Sequence, residues 1–183
     1  MQIGFIGYGE AAFEMSRGLK EEGLKEILDF DIMHEHEIFG DLIKKRSQEA
    51  KVELVYSAKD IIDNCQIVIV AVPGSKALET SKQLYEYLND EIIYVDVSAS
   101  TVKVKKDIWD TIKSKTHRFV DAAMLGALPL YRHKVPIAAS GTGTDEFMQM
   151  LLPYGMKIEK VSETAGDATA IKLIRSIFTK GLS

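Results

Sequence analysis

The sequence alternates short apolar runs, rich in β-branched residues, with longer segments of helical periodicity. This alternation is typical of a parallel sheet whose two faces are covered by helices. We therefore predict an α/β fold, with a doubly wound and mostly parallel sheet of eight strands. The predicted strands span residues 2–6, 26–30, 52–56, 66–72, 92–97, 119–123, 135–139 and 156–161.

Helices are indicated between these runs by apolar residues at helical spacing and by capping residues. In the first, Ala12, Met15 and Leu19 share one face, and Gly23 stands where a glycine ends a helix. Ser57 has the chemistry of an N-cap for the second. The further predicted helices run from 57 to 64, from 74 or 75 to 88, from 144 to 152 and from 166 to Leu182.

Length and charge exclude several classes of protein. A chain of 183 residues is enough for about one domain. Its 23 basic and 27 acidic residues give a net charge of −4, which does not suit a surface that neutralises phosphates of nucleic acid. No apolar run approaches the ~18 residues that span a bilayer, and Cys65 has no second cysteine to pair with. We expect a cytoplasmic protein that binds neither membrane nor nucleic acid.

A glycine-rich segment follows the first predicted strand and opens the first helix. Gly7, Gly9 and Ala12 match the dinucleotide fingerprint G-x-G-x-x-G/A. The first glycine permits the tight turn, the second leaves space for a pyrophosphate, and the small third residue allows close packing. Tyr8, Glu10 and Ala11 complete the loop, whose backbone N–H groups would face the phosphates. The alternative is that packing alone selects these glycines.

Asp31 follows the second predicted strand, close to the ~20-residue offset at which an acid binds the adenosine ribose. Its carboxylate can accept hydrogen bonds from both ribose hydroxyls and would repel a 2′-phosphate. No basic residue follows before Lys44, so NAD is favoured as the cofactor and NADP remains possible. Asp29 would take this role if the strand were shifted by two residues.

Two further groups of residues have competing interpretations. Arg132, His133 and Lys134 could neutralise an anionic substrate, although an exposed basic turn is the simpler interpretation. His34 and His36 are of metal-ligand type, but without a third anchored ligand we predict no metal site.

The order of motifs along the whole chain resembles the β-hydroxyacid dehydrogenase family, which includes 3-hydroxyisobutyrate and 6-phosphogluconate dehydrogenases. The resemblance rests on the glycine loop and on four later segments. These are Val72-Pro73 after the fourth strand, Asp96-Val97-Ser98-Ala99, Asp121 to Ala127, and Gly166 to Ser176. It implies a Rossmann NAD(P)-binding domain over 1–165 and the start of a long interdomain helix over 166–183, with an all-helical C-terminal domain absent.

The resemblance also implies a role for several residues. It assigns Lys172 as the catalytic base, Val72, Pro73 and Ser98 to the nicotinamide half of the cofactor, and Ser98, Gly126 and Ser176 to the substrate. Leu125 and Ser176 replace a serine and an asparagine of the family pattern, which changes the hydrogen bonds offered to a substrate.

The function implied is NAD(P)-dependent hydride transfer to or from a small β-hydroxyacid, with a homodimer expected for the full-length protein. Without its C-terminal domain the fragment is expected to bind cofactor and turn nothing over. One alternative is a non-catalytic dinucleotide sensor. Another is an imine or pyrroline-5-carboxylate type of reductase.

Overall fold

The computed structural model describes residues 1–181 and contains the eight predicted strands in one sheet. The parallel α/β class predicted from the alternating pattern is therefore confirmed. The first two strands have the predicted ends, and the ends of the other six differ from the prediction by one or two residues. The strands are β1 (Gln2–Ile6), β2 (Glu26–Phe30), β3 (Glu53–Leu54), β4 (Ile67–Val70), β5 (Ile93–Asp96), β6 (Arg118–Met124), β7 (Pro136–Ser140) and β8 (Lys157–Ser162).

Eight α-helices connect or follow these strands in the described part of the chain. They are α1 (Glu10–Glu21), α2 (Phe39–Ala50), α3 (Ala58–Asn64), α4 (Ala77–Leu84), α5 (Val102–Ile112), α6 (Leu128–Tyr131), α7 (Thr144–Leu151) and α8 (Asp167–Gly181). Helices α2, α5 and α6 were not predicted from the sequence. Within residues 1–181, no helix combines the length and hydropathy that crossing a bilayer requires.

Three predicted helix ends can be compared directly with the structure. The Ser57 hydroxyl accepts a hydrogen bond from the Asp60 N–H, which confirms the cap of α3. Gly23 follows the end of α1 with φ at +99°, as the C-cap pattern requires. The predicted single helix from 74 to 88 is instead α4 flanked by 3₁₀ turns at Gly74–Lys76 and Tyr85–Tyr87. The predicted end at Leu182 lies outside the described residues.

The sheet order is β3-β2-β1-β4-β5-β6-β7-β8. Strands β1 to β6 are parallel, β7 runs antiparallel to β6, and β8 is parallel to β7. Because β1 lies between β2 and β4, the chain moves outward in both directions from β1. Doubly wound sheets bind ligands at such a switch point, beyond the carboxyl ends of the strands.

Two apolar layers cover the two faces of the sheet. Helices α1 and α7 pack on one face through Met15, Leu19 and Phe147. Helices α3, α4 and α5 cover the other, where Ile61 and Ile108 are fully buried. The strands between them are apolar on both sides, which explains why their sequences read as continuous runs rather than as alternating patterns.

Asp29 is an acidic residue buried within this frame. The Ser47 hydroxyl donates to its Oδ2 at 2.9 Å, whereas its Oδ1 has no hydrogen-bond partner. Burial, opposed by the Ser47 hydrogen bond and reinforced by the charge of Asp31, raises the pKa of Asp29 to about 7. The fold therefore favours the protonated form of this carboxyl group.

Stability is expected to depend on Asp29 between pH 4 and 8. Because its pKa is higher in the folded than in the unfolded chain, its contribution is full at low pH and is lost as pH rises through about 7. Asp29→Asn keeps a neutral group at every pH. The difference in free energy of unfolding between this variant and wild type should therefore be more favourable to the variant at pH 8 than at pH 5, by on the order of 1–4 kcal/mol. Urea denaturation at both pH values measures this difference.

The exposed Asp41 on α2 offers the matched control. Asp41→Asn should change the free energy of unfolding equally at the two pH values. An Asp29→Asn variant that behaves in the same way would contradict the buried, protonated carboxyl group.

Candidate functional site

The first turn of the fold leaves bare backbone at the amino end of α1. Gly7 has φ at +86°, and a Cβ there would lie 2.6 Å from the Ala71 carbonyl oxygen, so a side chain does not fit. A Cβ at Gly9, in contrast, would have no atom within 4 Å. No side chain caps α1 at Gly9. Its first-turn N–H groups and its positive dipole end therefore border open space, as a phosphate site requires.

Asp31 lies at the end of β2, directly against this loop. Its Oδ2 accepts the Tyr8 N–H at 2.7 Å, and its Oδ1 accepts the Met33 N–H at 2.8 Å. Each carboxylate oxygen retains acceptor capacity for a ligand hydroxyl. Asp29 is buried two residues earlier, so Asp31 is the acid that stands at the mouth of the loop.

Tyr8 itself is a core residue. Its side chain is fully buried, and its hydroxyl lies 2.7 Å from the Ser16 hydroxyl. The Tyr8 N–H donates to Asp31 and its side chain lies in the core, so Tyr8 stabilises the loop and does not face a ligand. Glu10 is exposed and Ala11 half-buried in the first turn of α1, which leaves their backbone N–H groups beside the open space at Gly9.

The loops after β1, β4 and β5 contact one another in sequence. Val72 Cγ1 would lie 2.9 Å from a Cβ at Gly7, and the Ala99 carbonyl oxygen would lie 2.1 Å from a Cβ at Gly74. Pro73 lies between the two contacts. The carboxyl edge of the sheet therefore forms one continuous surface from the glycine loop to the segment at Ser98.

A cavity of about 190 Å³ lies at the far end of this surface. It brings together three of the predicted residues, Ser98 from the loop after β5 and both Lys172 and Ser176 from α8. The Ser98 hydroxyl donates to Asp96 Oδ1 at 2.5 Å, so towards the cavity it can act only as an acceptor. The lining residues are Ser98, Ala99, Ser100, Ala123, Thr169, Lys172, Leu173 and Ser176.

The first turn of α8 is fixed to the strand ends. The Ser140 hydroxyl accepts the Ala168 N–H at 2.9 Å. Asp121 accepts the Thr169 N–H at 3.0 Å and the Thr169 hydroxyl at 2.8 Å. The small residues Ala123 and Ala168 let the helix lie close to the sheet. This docking determines where Lys172, less than one turn later, is placed.

Lys105 is a buried charged residue that sequence analysis missed. It lies on α5 with no exposed surface, and its Nζ is 2.7 Å from Asp96 Oδ1 and 3.3 Å from Asp121 Oδ1. A signal was present in the sequence, because Lys105 precedes Ile108 and Ile112 at the spacing of the buried face of a helix. Because α5 was not predicted, this spacing was not recognised as the buried face of a helix.

Lys172 is half-buried beside this cluster. Burial lowers the pKa of its amino group, the positive charge of Lys105 lowers it further, and Asp121 acts in the opposite direction. The balance favours a larger neutral fraction than an exposed lysine has. A neutral amine can accept a proton, so the electrostatics suit a general base.

Other candidate residues lie elsewhere. Gly126 is not among the residues that line the cavity, and its substrate role stays a prediction. Arg132 pairs with Glu21, and both His133 and Lys134 contact Glu22. The description of these three as an exposed turn is wrong for His133, which is 5% exposed because it packs under α1 at Gly18.

The two histidines after β2 have structural contacts. His34 packs between Phe30 and Tyr56, and His36 Nδ1 accepts the N–H groups of Ile38 and Phe39. In residues 1–181 no three His, Cys, Asp or Glu side chains converge as a possible metal site.

Fold and site together define a dinucleotide-binding α/β domain, with its ligand edge at the switch point between β1 and β4. Residues 2–162 match the family described as the NAD binding domain of 6-phosphogluconate dehydrogenase. The chain belongs to this family, and the recognition of a hydroxyacid dehydrogenase type of cofactor domain is confirmed.

Three relatives show how far the similarity extends. A 28.5 kDa protein of Methanothermus fervidus is 29% identical over all of this chain and 67% of its own length. The conserved protein MTH1747, described as structurally similar to 3-hydroxyacid dehydrogenases, is 31% identical with a TM-score of 0.87, over all of this chain and 66% of that one. An imine reductase of Myxococcus stipitatus in complex with NADP⁺ is 14% identical with a TM-score of 0.80, over 100% and 62% of the two chains, and shows the fold alone. The chain thus spans about two thirds of the length of these relatives.

Replacing each of the two loop glycines by alanine should affect a different property, NADH binding for one and thermal stability for the other. Gly9→Ala places a methyl group in the open space at the phosphate position, so NADH binding should weaken at least ~10-fold while thermal stability stays near that of wild type. Gly7→Ala meets both the positive φ and the Ala71 carbonyl, so it should lower the melting temperature. Differential scanning fluorimetry and a fluorescence titration with NADH separate the two effects. Unchanged binding in Gly9→Ala would refute the phosphate site.

Proposed function

We propose that the chain is the cofactor domain of an NAD-dependent oxidoreductase that acts on a small β-hydroxyacid. The observation that carries this proposal is the continuous carboxyl edge of the sheet. It leads from the bare loop at Gly9, through Val72 and Pro73, to a cavity that holds Ser98 and Lys172. A phosphate site and a candidate base therefore lie at the two ends of one surface.

The residues along this edge fit a nicotinamide dinucleotide. The N–H groups of Gly9, Glu10 and Ala11 would hold the pyrophosphate, and Asp31 would accept the ribose hydroxyls. Val72, Pro73 and Ser98 would border the nicotinamide half. When bound, such a cofactor supplies a hydride acceptor or donor.

At the substrate end, the chain would contribute a base and two hydroxyl groups. Oxidation of an alcohol releases the hydroxyl proton, and the neutral amine of Lys172 would accept it at Nζ. Ser98 offers an acceptor, because its own proton is held by Asp96. Ser176, one turn after Lys172, would orient the substrate, and the predicted contact at Gly126 would require a substrate that extends beyond the cavity.

The alternative functions differ in cofactor and in chemistry. An imine or pyrroline-5-carboxylate type of reductase is favoured by the fold shared with an imine reductase that binds NADP⁺. Asp31 argues against NADP here, because its carboxylate would face the 2′-phosphate. A non-catalytic sensor would need no lowered lysine pKa in the cavity, and Lys172 has one. A cytoplasmic homodimer remains the prediction for the full-length protein.

The cofactor assignment predicts that NADH binds this domain at least ~10-fold more tightly than NADPH. Asp31→Ala should weaken NADH binding by about 10-fold or more, because hydrogen bonds to a charged group are lost, and should erase the preference over NADPH. Protein fluorescence titration with both dinucleotides measures the two affinities. Glu35→Ala, an exposed acid in the same loop, is the control and should leave both unchanged. Tighter NADPH binding that Asp31→Ala does not alter would overturn the ribose assignment.

The base assignment makes two predictions for the full-length protein, a loss of activity when Lys172 is replaced and a dependence of wild-type activity on pH. Lys172→Met should reduce kcat for alcohol oxidation by about 10²–10⁴-fold with little change in NADH affinity. In wild type, kcat/KM should rise with pH through the lowered pKa of Lys172, since only the neutral amine accepts a proton. Lys180→Met, on an exposed part of α8, is the control. Full turnover in Lys172→Met would exclude Lys172 as the base.

A further inference from the structure

The ammonium group of Lys105 contacts buried acidic residues of two strands. Its Nζ lies 2.7 Å from Asp96 Oδ1, 3.1 Å from the Asp96 carbonyl oxygen and 3.3 Å from Asp121 Oδ1. The two contacts with Asp96 are hydrogen bonds, and the contact with Asp121 is an ion pair. Asp96 and Asp121 are register partners on β5 and β6. Lys105 therefore joins the ends of two adjacent strands from α5.

Asp121 carries this connection to the helix that bears the candidate base. Besides Lys105, its oxygens accept the N–H and the hydroxyl of Thr169 in the first turn of α8. Thr169 precedes Lys172 by three residues, so the two lie on the same side of the helix. Thr169 is 4% exposed, and Asp121 and Lys105 are fully buried, which places the whole connection out of reach of solvent screening.

The charges of this cluster bear directly on Lys172. Asp96 from β5 and Asp121 from β6 are the carboxylates of the cluster, and Lys105 from α5 is its cation. On α8 itself, Arg175 borders a separate groove. If Lys105 were uncharged, Asp121 would be a buried carboxylate without that cation, and its attraction for Lys172 would favour the protonated amine.

We propose that Lys105 is a positioning residue of the candidate active site. By binding Asp96 and Asp121 together it fixes the first turn of α8, and by neutralising Asp121 it leaves the Lys172 amine available to accept a proton. The inference rests on the proposed function only where it treats Lys172 as the base. The placement of α8 and the charge balance are properties of this chain by itself.

The first test measures the titration of Lys172 without any substrate. Brief acetylation with acetic anhydride at a series of pH values, followed by mass spectrometry, reports the midpoint at which Lys172 becomes reactive. Lys105→Met should move this midpoint up by about one pH unit or more, which is a tenfold loss of the neutral fraction. Lys105→Arg retains the positive charge and should keep the midpoint near that of wild type. Asp121→Asn removes the opposing charge and should move it down.

These directions separate an electrostatic role from a merely structural one. A loosened α8 would expose Lys172 and raise the midpoint in all three variants alike, and that result would overturn the proposal. A Lys105→Met midpoint equal to that of wild type would also overturn it. If Lys105→Met does not fold, Asp121→Asn tests the proposal instead. A lower midpoint supports the electrostatic role, and a higher midpoint, as a loosened α8 would give, overturns it.

The second test follows the first turn of α8 by hydrogen exchange. Lys105→Met should increase the exchange rates of the amides of residues 168–170 at least ~10-fold, because Asp121, which accepts the Thr169 N–H, no longer fixes this turn. Lys103→Met, on the exposed side of the same helix α5, should leave these rates unchanged. Equal protection in Lys105→Met would contradict the positioning role. Neither test uses a cofactor, so a failure of NADH to bind would refute the proposed function and leave these results standing.

Discussion

A buried ion cluster at the carboxyl edge of the sheet connects the helix that bears the candidate base to the strands beneath it. Lys105 joins β5 to β6, and Asp121 joins β6 to α8. Buried charges cost free energy unless they are fully paired, and the loss of one partner typically costs about 3–5 kcal/mol. The placement of α8 is therefore linked to the stability of the sheet itself, rather than to contacts that the helix could exchange for others.

The shape of the glycine loop, at the opposite end of the edge, depends on the absence of side chains at two positions. Gly7 is required because the chain turns against Ala71 with a positive φ, whereas the space at Gly9 is left open. Asp31 ties the loop to β2 through the Tyr8 N–H and still presents acceptor oxygens. One end of the site is thus built from backbone and the other from buried side-chain charges, with the loops at Val72, Pro73 and Ser98 between them.

Much of this fold was predictable from the sequence, for a physical reason. Strands buried on both faces, such as Ile67–Val70, must be apolar throughout, and their length separates them from helices. Helix α2 was missed because it begins without a side-chain cap at Ile38 and because it presents few buried residues to the sheet. The region from 74 to 88 reads as one helix because 3₁₀ turns share its local spacing.

The site was predictable where chemistry depends on local sequence and not where it depends on contacts between distant elements. The glycine spacing and Asp31 could be recognised along the chain. The contact of Lys105 with Asp121, and the burial of His133 beneath Gly18, are meetings of separate elements that no local pattern contains. Tyr8 illustrates the same point, since its position in the fingerprint gives no sign that its side chain points into the core.

The fixed first turn of α8 has a geometric consequence for how such a domain can change over time. Each residue of an α-helix is rotated by about 100° about the helix axis from the one before it. With Thr169 held by Asp121, gain or loss of a single residue before Lys172 would swing the amine out of the cavity and bring a neighbour in. The interval of three residues from Thr169 to Lys172 therefore has to keep its length if the amine is to stay in the cavity.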